Sequence, residues 1–569
     1  MDSIGRKRRG YVTRVLCVAL LGVVSLPAFA QSQDLVFRDG YENADVGTAT
    51  PAQAARFLTQ ATFGPTLSEI QRVQTLGYQS WLDEQFGRTP ELHLPFLDAR
   101  AAAGDDLGGY LRQESWFARV VRGNDQLRQR VAFALSEILV VSERGFDDTR
   151  ALAHYYDLLV QRAFGNYRTL LRDVTLHPTM AEYLSMRANQ PEDPAENIRP
   201  DENYAREIMQ LFSIGLEQLN PDGTRQLANG QPIPTYTQAT IRGFARVFTG
   251  FNFDGCDPDD YGGCYPYETG TEIWWRRPMI AFAGYHETSS KQLLVYPGVA
   301  LPGGVLPAGG TAITDLDAAL DNLFNHPNVG PFVSRHLIQR LVTSNPTPAY
   351  VARVAAVFAN NGSGQRGDLR AVVRQILLDP EARNPATAPA HAGKVREPLL
   401  RLTQLYRALD ARSQDGRFRE WYPDSFLAQA ALASPTVFNF FRPGYAPTGE
   451  IANAGLAAPE LQIATDNVLT STANAFGNVV YYYWRGNPDV SAEDVTVDLA
   501  RDMALATQPA TLIDRYDLLF LSGRMSAGLR ATLLSHLGQI DAGDEAGRRE
   551  RVQDALWLIM VAPEFVVEK

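Results

Sequence analysis

From Pro51 onward, apolar residues recur three and four positions apart in segment after segment, the spacing that lays one apolar stripe along a helix. The pattern predicts helices over 51–58, 67–76, 126–143, 150–164, 201–219, 237–249, 315–324, 330–341, 349–359, 368–378, 395–411, 460–476 and 548–560. Thr66-Leu-Ser-Glu69 reads as a capping box, in which hydroxyl and carboxylate satisfy free amides at a helix start, and Gly77 reads as the stop. The helical rhythm breaks over 250–310, where short β-like runs (279–283 and 293–296) accompany Tyr265, Tyr267, Trp274 and Trp275. The expectation is a mainly α fold: one large multi-helix domain over 51–569 carrying a small irregular or β insertion at 250–310, with no fixed-period repeat and no low-complexity tract.

The first fifty residues change that picture. Arg6, Lys7, Arg8, Arg9 and Arg14 precede an apolar run too short to span a bilayer, and Ala28-Phe29-Ala30 is a small-residue cleavage site. Residues 1–30 therefore read as a signal peptide cleaved near Ala30. Arg8-Arg9 loosely resembles a twin-arginine motif, so either export route fits. Residues 31–50 lack periodicity and read as a tether. Export makes the mature protein periplasmic or extracellular, and no other stretch reaches membrane-spanning length.

Composition sharpens two points. The 569 residues are 45% hydrophobic and 21% charged, the proportions of a globular chain, with a net charge of −11. Losing the signal removes five cations and one aspartate, leaving 48 basic against 63 acidic residues, a balance of −15. Such acidity argues against nucleic acid as a partner, because phosphates require basic patches. Only Lys7, Lys291, Lys394 and Lys569 are lysines. Once Cys17 leaves with the signal, Cys256 and Cys264 remain, and in an exported chain they read as one disulfide.

Three segments carry candidate chemistry. On a helix, Asn203, Glu207 and Gln210 share one stripe and Glu202 and Arg206 lie four apart on the next. These groups form either an ion-pair bracket between helices or a site. His286-Glu287-Thr-Ser-Ser-Lys291 misses the zinc motif H-E-x-x-H, since Ser290 stands where the second histidine belongs. Asp257, Asp259 and Glu268 approach calcium-loop spacing, but Tyr261 occupies a ligand position, so a disulfide-held loop is preferred and no cofactor is predicted. His177 stands at a predicted helix start. The chain has no G-x-S-x-G elbow, phosphate-binding glycine loop or C-x-x-C pair.

Ala54-Ala-Arg-Phe-Leu-Thr-Gln-Ala-Thr-Phe-Gly-Pro-Thr66, His177-Pro-x-Met180, Glu202-Asn-Tyr-Ala-Arg-Glu-Ile-Met209, Tyr236-Thr-Gln, Phe248-Thr-Gly250, His286-x4-Lys291, His326-Pro-Asn and Ser434-Pro-Thr-Val437 together resemble the bacterial domain-of-unknown-function family 1800. The resemblance implies an exported helical protein of unknown reaction. It also implies a possible co-exported partner similar to family 1501, whose members are similar to alkaline-phosphatase-type hydrolases. The family's recurring polar positions fall on His177, Asn203, Arg206, Glu207, His286 and Lys291. Many members carry histidine where this chain has Phe133-Ala-Leu-Ser-Glu-Ile138, which argues against a histidine metal site here. The leading expectation is a protein acting with its partner on cell-surface or extracellular material. One alternative is a hydrolase with Glu207 as general base, Arg206 and Lys291 as anion binders and His177 or His286 as proton shuttle. Another is carbohydrate binding by the lobe around Trp274 and Trp275.

Overall fold

Threonine hydroxyls open many of the helices. Thr50, Thr66, Thr237, Thr311, Thr347 and Thr465 each accept an amide from the first turn that follows, satisfying donors the helix itself leaves unpaired. The computed structural model describes residues 49–264, 274–386 and 388–569. Within these it shows 24 α-helices and only two-residue strands, a mainly α fold. The signal segment, nearly all of the tether, Tyr265, Tyr267 and Glu268 lie outside the described residues. The described residues cluster as one compact unit, and no described helix is long and apolar enough to cross a membrane.

Several boundaries differ from the periodicity, each for a packing reason. Thr66 accepts the Glu69 amide at 3.2 Å, but the Glu69 carboxylate accepts from Trp81 Nε1 at 3.0 Å, so only half of the expected box forms. Gly77, with φ of 77°, kinks the helix Leu67–Gly87 without ending it, because Trp81, Leu82 and Phe86 beyond it are buried and hold the second half in place. The helix predicted over 126–143 stops at Ser136; every residue of Gln126–Ser136 is buried, so no polar face marks its end. The helix predicted over 201–219 is Asn203–Gln210 alone. Leu94–Ala102, Gly109–Arg122, Tyr167–Thr175 and Pro178–Tyr183 are helices the pattern did not predict.

The 250–310 lobe holds two short antiparallel ladders, Phe251–Asn252 with Ile280–Ala281 and Lys291–Gln292 with Val305–Leu306. The predicted run 279–283 overlaps the first. The run 293–296 is no strand, since the Leu294 amide turns instead to the Asn322 side chain at 3.0 Å. Cys256 and Cys264 are joined in a disulfide, Cα–Cα 5.7 Å. The lobe is fastened by close approach: a Cβ at Gly243, in the helix Gln238–Val247, would lie 1.8 Å from the Gln292 carbonyl oxygen. Backbone cannot swing aside as a flexible side chain can. Gly243→Ala is expected to lower stability by about 1–3 kcal/mol through overpacking, read as a drop in the denaturation midpoint. An unchanged midpoint would refute this packing.

Candidate functional site

Lys291 and His286 form a closed lock. The Lys291 ammonium donates to Asp315 Oδ2 at 2.6 Å and to the Ser289 carbonyl at 3.0 Å. His286 donates through Nδ1 to the Thr249 carbonyl at 2.9 Å, and its Nε2 lies 3.1 Å from the same Asp315 oxygen. Lys291 is 1% exposed, Asp315 2% and His286 6%. Asp315 sits in the first turn of the helix Ala312–Phe324, where the helix dipole favours a carboxylate. The arrangement ties lobe to helix and leaves Lys291 no open face for a substrate anion. The anion-binding and proton-shuttle roles expected of Lys291 and His286 do not fit it.

The helix Asn203–Gln210 divides its polar groups between surface and interior. Arg206, two-fifths exposed, pairs with Glu202 at 3.1 Å, and Glu202 also accepts from Gln238 at 2.8 Å, bracketing this helix to Gln238–Val247. Such exposed pairs contribute little stability. Asn203 is exposed, its amide donating to Asp201. Glu207 is buried, its Oε2 lacks a hydrogen-bond partner, and burial raises its carboxyl above the ordinary range while Arg206 opposes the rise. No lining residue of the two clefts described below belongs to this helix, and none of them is Lys291.

His177 does reach a cleft. Its Nδ1 accepts the Thr179 amide at 3.2 Å, which places the ring proton on Nε2, 2.8 Å from His154 Nδ1. Burial, and then His154, push His177 well below its ordinary value; His154 is also lowered, by burial first. The two rings line a cleft of about 230 Å³ with Arg162, Arg172, Arg276 and Arg277. Each arginine is already paired, with Asp173, Asp317, Asp98 and Asp254 in turn. The cleft is therefore charge-compensated. His154 is the residue sequence reading missed here.

Trp274 and Trp275 are 5% and 1% exposed. Trp275 is flanked by the Arg276 guanidinium at 4.8 Å and by the His154 ring at 5.5 Å, and Trp274 packs on Phe253 at 4.5 Å. The sugar-stacking platform expected at this pair is filled by the chain's own side chains. Asp257 caps the short turn Pro258–Asp260 by accepting the Asp259 amide. Glu268 lies outside the described residues.

A cleft of about 640 Å³ opens where no candidate was placed. One wall is the helix Asp466–Tyr481, which presents Asn474 and Asn478 four residues apart; others come from the helix Pro398–Ala408 and segments 419–426 and 483–495. Trp421, Phe426 and Tyr483 supply aromatic surface. The loop before this wall is pinned: Arg417 grips Glu114 at 2.6 and 2.7 Å, and Trp421 Nε1 donates to the same carboxylate at 3.3 Å. Inside the cleft, the Tyr406 hydroxyl donates to Glu420 Oε2 at 2.5 Å. Burial raises the Glu420 carboxyl to about 7 and pushes the Tyr406 hydroxyl up as well. Tyr483 is raised by burial, then by Asp494, Tyr482 and Glu420. The sequence offered two faint signals, the run Arg417-Phe-Arg-Glu-Trp-Tyr422 and the Asn474/Asn478 spacing, on segments far apart in the chain.

No curated protein and no solved structure matches this chain. One family model does, described as a protein of unknown function (DUF1800), over residues 56–567. With nearly the whole length matched, the chain belongs to the DUF1800 family.

Proposed function

We propose that this protein is exported and holds carbohydrate of cell-surface or extracellular material in the cleft between Pro398–Ala408 and Asp466–Tyr481. The observation that carries the reading is the coexistence, in one cleft of about 640 Å³, of aromatic faces with side-chain amides and carboxyls. Aromatic faces cover the apolar faces of sugar rings, and amides and carboxyls answer their hydroxyls. The cleft's volume lies in the usual small-molecule range of roughly 300–1,000 Å³. Export is supported by the signal-like residues 1–30 and by the Cys256–Cys264 disulfide, a bond of oxidising compartments. A co-exported partner of the 1501 type would complete the action on bound material.

The test is a glycan array and a polysaccharide pull-down with the mature protein. Binding is expected, weakened about tenfold or more by Trp421→Ala through loss of an aromatic contact. Because Trp421 also anchors its loop to Glu114, Asn478→Ala on the helix wall serves as the second variant, with weakened binding expected at an unchanged melting temperature. A wild-type protein that retains no glycan refutes the reading.

A further inference from the structure

We infer that the cleft is also a hydrolytic site for glycosidic bonds, in which Glu420 protonates the departing oxygen and Asp494 activates the attacking water. This rests on the carbohydrate reading and goes beyond it, from holding a glycan to cutting one.

The geometry supplies the acid. Glu420 Oε2 accepts the Tyr406 hydroxyl proton at 2.5 Å. A proton carried by Glu420 therefore resides on its other oxygen, in a residue that lines the cleft. The same burial that encloses this carboxyl favours its neutral form up to about pH 7, the tuning a general acid needs. Asp494 supplies the second carboxyl. It lines the same cleft, is half-buried, and accepts the Ser491 amide through Oδ2 at 2.7 Å, which fixes its side chain. Glu420 and Asp494 thus come from separate segments to the wall of one cleft, where Tyr483 also lies. Two carboxyls on the wall of one cleft, one to protonate and one to activate water, are the groups glycoside hydrolysis uses.

The step balances without any co-reactant but water. The bond between the anomeric carbon and the bridging oxygen breaks, its electron pair staying on that oxygen, which takes the Glu420 proton. A water oxygen forms the new bond to the anomeric carbon and yields its proton to Asp494. Solvent exchange then returns the proton from Asp494 and re-protonates Glu420, leaving two free hydroxyl termini.

The experiment incubates the mature wild-type protein with the polysaccharides it retains and counts new reducing ends. Release is expected, falling as pH rises through about 7 because Glu420 must carry its proton. Glu420→Gln keeps an acceptor for Tyr406 and is expected to cut release by about a hundredfold or more, the weight of a general acid, with glycan binding within about twofold. Asp494→Asn is the second variant, with a comparable loss expected. If glycan is bound but no reducing ends appear, or if release survives Glu420→Gln, the hydrolytic inference is overturned and the binding reading stands. If no glycan is bound, both fall.

Discussion

Replacing Asp315 with alanine is expected to lower the unfolding free energy by about 3–5 kcal/mol, the cost of leaving a buried charge without its partner. Asp315 Oδ2 holds the Lys291 ammonium at 2.6 Å and lies 3.1 Å from His286 Nε2. Without it, Lys291 keeps only the Ser289 carbonyl among the partners described for its ammonium. Urea unfolding at fixed pH measures the loss. The double variant Asp315→Leu with Lys291→Met should recover much of it, because removing both charges also removes their desolvation penalty. A single-variant loss under about 1 kcal/mol would mean the three groups are not the interior lock their positions describe.

Acid should unfold the protein from the side of its histidines. Burial holds His326 and His336 down to about 4 and His177 well below its ordinary value. In the unfolded chain these rings take up protons near pH 6.5. Between about pH 4 and 6.5 the unfolded state thus binds more protons than the folded one, so stability rises with pH and is lost as pH falls through that window. A shift of this size is worth at most about 3 kcal/mol for a fully buried ring such as His326, and less for half-buried His336. His326 is the cleanest probe. It is 1% exposed, its Nδ1 accepts the Asn328 amide at 3.1 Å, and its Nε2 has no hydrogen-bond partner among the described residues. His326→Asn can keep the acceptor while removing the titration. The expected result is a shallower loss of stability from pH 6.5 to 4 than in wild type. Equal slopes would show that His326 titrates normally. Comparing the two proteins cancels the buried carboxyls that also titrate, such as Glu420.

Several polar residues that stand out in the sequence turn out to belong to the frame. His286 and Lys291 lock the lobe, His326 caps a turn, and Lys394 is sealed inside, donating to the Gln339 and Arg340 carbonyls at 3.1 and 3.0 Å and lying 3.2 Å from Glu460. The scarcity of lysine acquires a meaning from this. Lys291 and Lys394 are buried point charges with three donors each, sitting in oxygen cages that a planar guanidinium would not fill. Lys291, expected as an anion binder, has its ammonium held by Asp315 and the Ser289 carbonyl.

By itself the sequence determined that the body is mainly helical, that the rhythm breaks over 250–310 and that Cys256 and Cys264 can pair. Each follows from local information: a period, its interruption, or a short separation between two thiols. It could not place helix ends where every face is buried, as at Gln126–Ser136, because periodicity reports contrast between faces and such a helix has none. It read Trp274 and Trp275 as a surface, although burial of a ring depends on what returns to cover it. The tertiary structure alone decided the cleft, since Tyr406, Glu420, Asn478 and Asp494 lie on separate segments whose meeting no local pattern encodes. The same holds for Asp315 beside Lys291 and for His154 beside His177. A site is a juxtaposition across the fold, and it is burial, set by the whole chain, that turns Glu420 from an ordinary carboxylate into an acid poised near neutral pH.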